Sequence, residues 1–353
     1  MAGFGILTEG GLAAPHDPVD VAEAAALLEE RYGIAGPMTR FATEKDDTFR
    51  VESPSGRHVL KIANPDEPAH EIDFQVQLLD HVARIDPGLP VPRVVPDRSG
   101  ALQSTMHDAA GRVRCVRLMS YLAGVPLDRT ASTPAQRLDI GRTLARLRLS
   151  MASFAHPADS RRLAWDVRHV AELEPLLDEI TDAPRRSRLE AGLERLSGLA
   201  GRVAALRTQV LHNDFSTSNL LVDGAGGRRL TGVIDFGDAV RTAVAVDVST
   251  ALLNQLPRNA DPTTDLFAHG RDVLRGYLAL TDLTDEELTL VPHLVMARVI
   301  ARALITTLRA RLQPSNRTYI LRNTEQGWAQ LEWFLRRSVG EVSAALLGRP
   351  GSV

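Results

Sequence analysis

The sequence predicts an α+β chain in two unequal lobes: a small β-rich N-terminal lobe with helices, and a larger, mainly helical C-terminal lobe. Three observations carry this reading. Runs with strand character crowd residues 49–119, a Gly/Pro-containing connector occupies 120–126, and most of the chain beyond residue 134 repeats its apolar residues at helical spacing. At 353 residues the chain also exceeds what one compact core usually serves. The expected boundaries are 1–119 for an N-lobe, 120–126 for a hinge and 127–353 for a C-lobe.

Along the chain, Val21, Ala24, Ala25, Leu27 and Leu28 predict a helix over 19–32, with Asp20 as cap and Gly33 as stop. Residues 49–51 and 58–62 read as strands around the turn-forming Ser53-Pro54-Ser55-Gly56. A helix is expected from about Pro68 to Ala83, then strands around 102–105 and 112–119 about the turn DAAG. Helical patterns follow at about 134–150, 167–180, 185–206, 242–255, 266–280, 285–312 and 324–346. Between them RTQVL (207–211), NLLV (219–222) and LTGVI (230–234) are short apolar strands, the last two joined by the Gly-rich turn at 223–227.

Those strands frame the most informative residues, HNDFSTSNLL (212–221) and VIDFGD (233–238). The order His-x-Asp, then Asn, then Asp-Phe-Gly is the pattern of a kinase catalytic loop followed by its metal-binding loop. Each residue type suits phosphoryl transfer to an alcohol. Asp214 can accept the hydroxyl proton, while the Asn219 amide oxygen and the Asp235 carboxylate are hard oxygen donors for Mg²⁺ on nucleotide phosphates. In the N-lobe, Lys61 sits mid-strand in VLKI, where a cation would hold phosphates. Glu71 on the following helix is its natural partner, with Asp73 the alternative. No glycine-rich flap or P-loop precedes that strand. The equivalent segment, 42–49, offers backbone N–H groups and the Thr48 hydroxyl, and its acidic residues are expected to point outward.

These motifs, with Asp247 downstream, resemble the aminoglycoside phosphotransferase and choline kinase superfamily, whose members share the protein-kinase-like bilobal fold and phosphorylate small molecules. The likeness runs toward hydroxylysine kinases through ATEKDDTFRV, VLKIANPDEPAHEIDFQVQLLDHV, PVPRVVPDRSG and LQPSNRTYILRNTEQGWAQL. The resemblance implies Asp214 as base, Asn219 and Asp235 as Mg²⁺ ligands, and Lys61 with Glu71 at the phosphates. It implies His212 as structural support for the loop, Asp247 as its brace, and the backbone around Ser120 and Leu122 as the purine-facing hinge. ATP and GTP both stay open as donor. Asp238 departs slightly from the family pattern, as a further acidic contact or a turn residue.

The acceptor is a small molecule with a hydroxyl, expected to be a hydroxylated amine or amino acid. Aminoglycosides, homoserine and choline are rivals within the class, and a non-catalytic nucleotide-binding protein is the rival outside it. Arg298 and Arg302, four apart on one helical face, could clamp a carboxylate. Asp238, Asp247 or Asp265 could receive an amine. A net charge of -3 argues against nucleic acid. The start MAGFGILTEGG lacks a leader pattern, and arginines interrupt the longest apolar run, so a cytoplasmic protein without membrane contact is expected. The single Cys115 excludes an intramolecular disulfide, and the scattered histidines make no zinc spacing. Oligomeric state is not readable.

Overall fold

Strands β1 (Met38–Arg40), β2 (Asp47–Ser53), β3 (Gly56–Ile62), β4 (Val94–Val95), β5 (Ser104–His107) and β6 (Val113–Ser120) form one antiparallel sheet, in the order β1-β2-β3-β6-β4 with β5 also on β6. The computed structural model describes residues 18–41, 43, 46–224 and 229–348. Met1–Pro15, the loop residues Ala42, Glu44 and Lys45, and the turn residues Gly226, Gly227 and Arg228 lie outside the described residues. Helix α1 (Val21–Tyr32) starts where the Asp20 side chain accepts from the Ala22 N–H at 2.7 Å and ends at Gly33 in the left-handed region, φ 68°. Its Leu27 and Leu28 pack with Phe49, Val51, Leu60 and Leu118 from one face of the sheet. Helix α2 (Ala69–Ile85) faces the other way, joining Phe74, Leu78 and Val82 to the core of the large lobe.

Asp46 and Asp47 correct the expectation for the phosphate-facing segment. Both are buried, not outward-pointing: Asp47 accepts from Arg114 at 2.9 Å and from the Val19 N–H at 3.0 Å, and Asp46 from Arg117 at 3.1 Å. The sheet places two arginines of β6 under the segment, and the paired carboxylates turn toward them. Their negative charge is thereby drawn off the nucleotide side. Breaking such a pair strands a buried guanidinium, so Asp47→Ala is expected to cost about 3 kcal/mol. A urea midpoint that falls at unchanged slope would report it; a change under about 1 kcal/mol would mean the pair is solvated.

The large lobe is helical with two small sheets. Strand β9 (Leu220–Val222) lies between β10 (Leu230–Val233) and β7 (Val125–Pro126), and β8 (Thr208–Leu211) pairs with β11 (Val240–Ala243). Several expected helices differ. Residues Val167–Glu179 form 3₁₀ turns, because Val167, Val170, Leu173 and Leu176 are buried at intervals of three and Pro175 lacks a donor. The helix expected from 242 starts at Val244, since the residues before it complete β11. The last one breaks between Leu335 and Val339, where Ser338 and Glu341 form a capping box. Helices α3 (Pro134–Met151), α4 (Ala183–Ser197), α5 (Ala200–Ala204), α6 (Val244–Leu253) and α7 (Gly270–Leu278) precede α8 (Asp285–Leu312), which runs through the lobe's centre. It is long and apolar enough to cross a membrane by length and composition, contrary to the sequence reading. Its apolar window is 83% buried inside the fold, so that apolarity serves the core.

Candidate active site

The loop His212–Asn219 leaves β8 and is held from two sides. Asp247, in the first turn of the helix Val244–Leu253, accepts the His212 N–H at 3.1 Å and the Asn213 N–H at 2.6 Å. Burial raises its pKa, while the His212 ring and those two N–H groups pull the other way. On the opposite side the buried Arg298 donates to the carbonyls of Asn213 and Trp165, and stands 3.7 Å from Asp214. Asn213 itself has φ 62°. The His212 ring donates from Nε2 to the Ile234 carbonyl at 3.1 Å, accepts the Asp214 N–H on Nδ1 at 3.3 Å, and sets its edge against Phe236. Those two contacts together select the tautomer.

The Asn219 amide nitrogen donates to Asp214 Oδ2 at 2.7 Å and to the Asp214 carbonyl at 3.0 Å, which leaves the amide oxygen for another partner. The Ile234 N–H reaches the Asn219 carbonyl at 2.9 Å, so the β9–β10 pairing brings Asp235 beside Asn219. Asp235 is held at φ 64°, with its carboxylate half exposed, weakly bonded to the Gly237 N–H at 3.4 Å and 4.0 Å from Lys61 Nζ. Asp238 follows one short turn later. Burial first, then the charges of Asp214 and Asp235, push its pKa up to about 6, against Arg161 and Arg298. Three carboxylates thus line one cavity. Among the described residues no three His, Cys, Asp or Glu side chains form a metal cage. A Mg²⁺ carried on nucleotide phosphates needs only one or two protein oxygens, and the Asn219 and Asp235 oxygens fit that donor set.

Other expected residues land differently. Lys61 does not pair with Glu71; its carboxylate neighbour is Asp235. Glu71 instead binds Arg161 at 2.6 Å, and Arg161 donates to the carbonyls of Gly237 and Ala239. The first turn of α2 points at the Asp235-Phe236-Gly237 turn, not at β3, so Arg161 takes the place expected for the lysine. Asp73 meets His156 at 3.0 Å. Arg161 was invisible in the sequence: it sits in a loop without periodicity. If Glu71 and Arg161 act as one unit, Glu71→Gln and Arg161→Gln should each slow turnover about tenfold and the double variant no further. Additive losses in kcat would separate the two residues.

Thr48 lies opposite Lys61 across β2 and β3, and its buried hydroxyl has no partner among the described residues. At Ser120, where β6 continues, the N–H donates to the Arg93 carbonyl at 2.8 Å and the hydroxyl accepts the Arg93 N–H, so of its backbone only the carbonyl stays available to a purine edge. Leu122, beyond the strand end, makes no backbone hydrogen bond among the described residues. Asp265 is half-exposed on Arg271, outside the cavity. Asp247 is occupied by the loop and is likewise absent from the cavity lining.

In front of Asp214 opens a cavity of about 880 Å³, lined on one side by Asp214, Asp235 and Asp238 and on another by arginines of α8 and the segment after it, including Arg302. Arg298 lines it too, with donors committed to the Asn213 and Trp165 carbonyls.

Residues 39–283 match the Phosphotransferase enzyme family (APH). A hydroxylysine kinase of Mus musculus is 24% identical over 336 residues, covering 88% of this chain and 88% of that protein. The microcompartment-associated aminopropanol kinase aligns with a TM-score of 0.64 at 21% identity, over 90% of this chain and 98% of that one. Amicoumacin kinase hAmiN, solved with AMP-PNP, Ca²⁺ and Ami, aligns with a TM-score of 0.67 at 15% identity, over 88% and 94%. At these identities the structural likeness carries the fold, a bilobal kinase-like one.

Proposed function

The chain belongs to the phosphotransferase enzyme family, small-molecule kinases acting on hydroxyl acceptors, and from that premise we propose a Mg²⁺-dependent O-kinase for a hydroxylated amine or amino acid. The observation that carries this is the short contact between Asp214 and Asn219, with Asp235 alongside, at the mouth of a polar cavity. The acceptor hydroxyl docks at Asp214, which takes its proton as the oxygen attacks the γ-phosphorus of ATP or GTP. The bond from that phosphorus to the bridging oxygen breaks and the nucleoside diphosphate leaves. The Asn219 amide nitrogen holds Asp214 Oδ2, so one carboxylate oxygen is left to face the hydroxyl. When bound, Mg²⁺ supplies charge neutralisation on the transferred phosphate, with Asn219 and Asp235 as its protein oxygens. Lys61 adds a second positive charge from β3, and the Thr48 hydroxyl opposite it, buried without a partner among the described residues, is the candidate donor to a phosphate oxygen. Leu122 offers its backbone to the nucleotide base. Asp247 and His212 keep the loop in shape.

The deciding assay is nucleoside diphosphate release with Mg²⁺ and ATP or GTP. It is run over hydroxylysine, homoserine, choline and several aminoglycosides, with Asp214→Asn as the blank. Acceptor-dependent release that vanishes in the variant supports the reading. Silence over the whole panel, with nucleotide binding intact, sinks it.

A further inference from the structure

Other arginines that lie buried or nearly so in this fold have visible partners. Arg114 has Asp47 at 2.9 Å, Arg117 has Asp46 at 3.1 Å, Arg137 has Asp272 at 2.8 Å and Arg161 has Glu71 at 2.6 Å. Arg298 has two carbonyls and Asp214. Arg302, partly buried in the cavity wall, has a single 3.5 Å contact to the Asn323 carbonyl, at the limit of a hydrogen bond, and no carboxylate at ion-pair distance among the described residues. Burial and then the like charge of Arg298 pull its pKa down to about 10, against the opposing charge of Asp214. A guanidinium held this way has no anion in direct contact to offset its desolvation, only the charge of Asp214 from beyond ion-pair distance.

Its position says which anion. Four residues along α8 from Arg298, it stands one turn, about 6 Å, further along the helix from the arginine that touches Asp214. Lys61, Asn219 and Asp235 gather on the nucleotide side of Asp214, so the Arg302 wall belongs to the acceptor. We propose that Arg302 receives the carboxylate of an acceptor whose hydroxyl lies at Asp214, so that the preferred acceptors are hydroxy amino acids, not amino alcohols, choline or aminoglycosides. This rests on the O-kinase reading above.

The test uses pairs differing by one carboxylate: hydroxylysine with 1,5-diaminopentan-2-ol, homoserine with 3-aminopropan-1-ol, and threonine with 1-aminopropan-2-ol. For at least one pair the acid is expected to win in kcat/KM by about 100-fold or more. Arg302→Gln should collapse that ratio toward unity, chiefly by raising KM for the acid, and Arg302→Lys should restore part of it. Equal handling of the pair members by the unmodified enzyme overturns the proposal. So does an Arg302→Gln variant that slows both members by one factor, which marks a structural role. Calorimetry of the same acids on the full chain separates this from failure of the kinase reading. Turnover silence with acid binding lost in Arg302→Gln leaves the carboxylate site standing. If no acid binds, or if only inorganic phosphate binds through Arg302, the proposal falls.

Discussion

Asp235→Ala is expected to cut phosphate transfer by about 10³-fold or more, the loss of several kcal/mol of charge stabilisation at the transferred group. The carboxylate is half exposed, has one weak N–H contact and faces Lys61 at 4.0 Å, so little of the fold depends on it. Alanine, however, must adopt φ 64°, which could disturb the turn on its own account. Asp235→Gly is therefore the matched control, because it removes the same carboxylate and tolerates the backbone. Both variants should be inactive, and both should lose the Mg²⁺ dependence of nucleotide binding measured by calorimetry. Activity surviving in the glycine variant would remove Asp235 from the metal role.

Asp214→Asn is the second large effect, a fall in kcat of about 10² to 10⁴-fold. The substitution is nearly isosteric, and the new amide oxygen can still accept from Asn219, which now donates at 2.7 Å. Nucleotide affinity should stay within a few-fold, since the phosphate contacts lie on Lys61, Asn219 and Asp235. The separation of the two readouts is what identifies a base. If kcat stayed near the unmodified value, another group would have to take the proton; Asp238, beside Asp214, would be the first to replace.

The chemistry was legible because it is local. Asp214, Asn219 and Asp235 lie within 22 positions, bounded by short strands that announce themselves by composition. The capped helices were legible for the same reason. What escaped was set by contacts between distant segments. Arg161 meets Glu71 from 90 residues away, and Asp46 and Asp47 meet arginines some 70 residues on. No period or motif marks such pairs. Two misses had signals in the chain: the three-residue spacing of Val167, Val170, Leu173 and Leu176, and the Ser338-x-x-Glu341 box that cuts the final helix. Both were overridden by a longer helical pattern.

Asn213 and Asp235 are the non-glycine residues with positive φ among those described, and they flank the base and the metal turn. Such conformations each cost a protein on the order of 1 kcal/mol that glycine would not. Directed evolution for heat resistance alone would therefore drift toward glycine at 213 and 235. Of the two, glycine at 235 would make the tougher protein by deleting its function. A library aimed at a hardier enzyme has to screen for turnover in the same round, or exempt these two codons from the start.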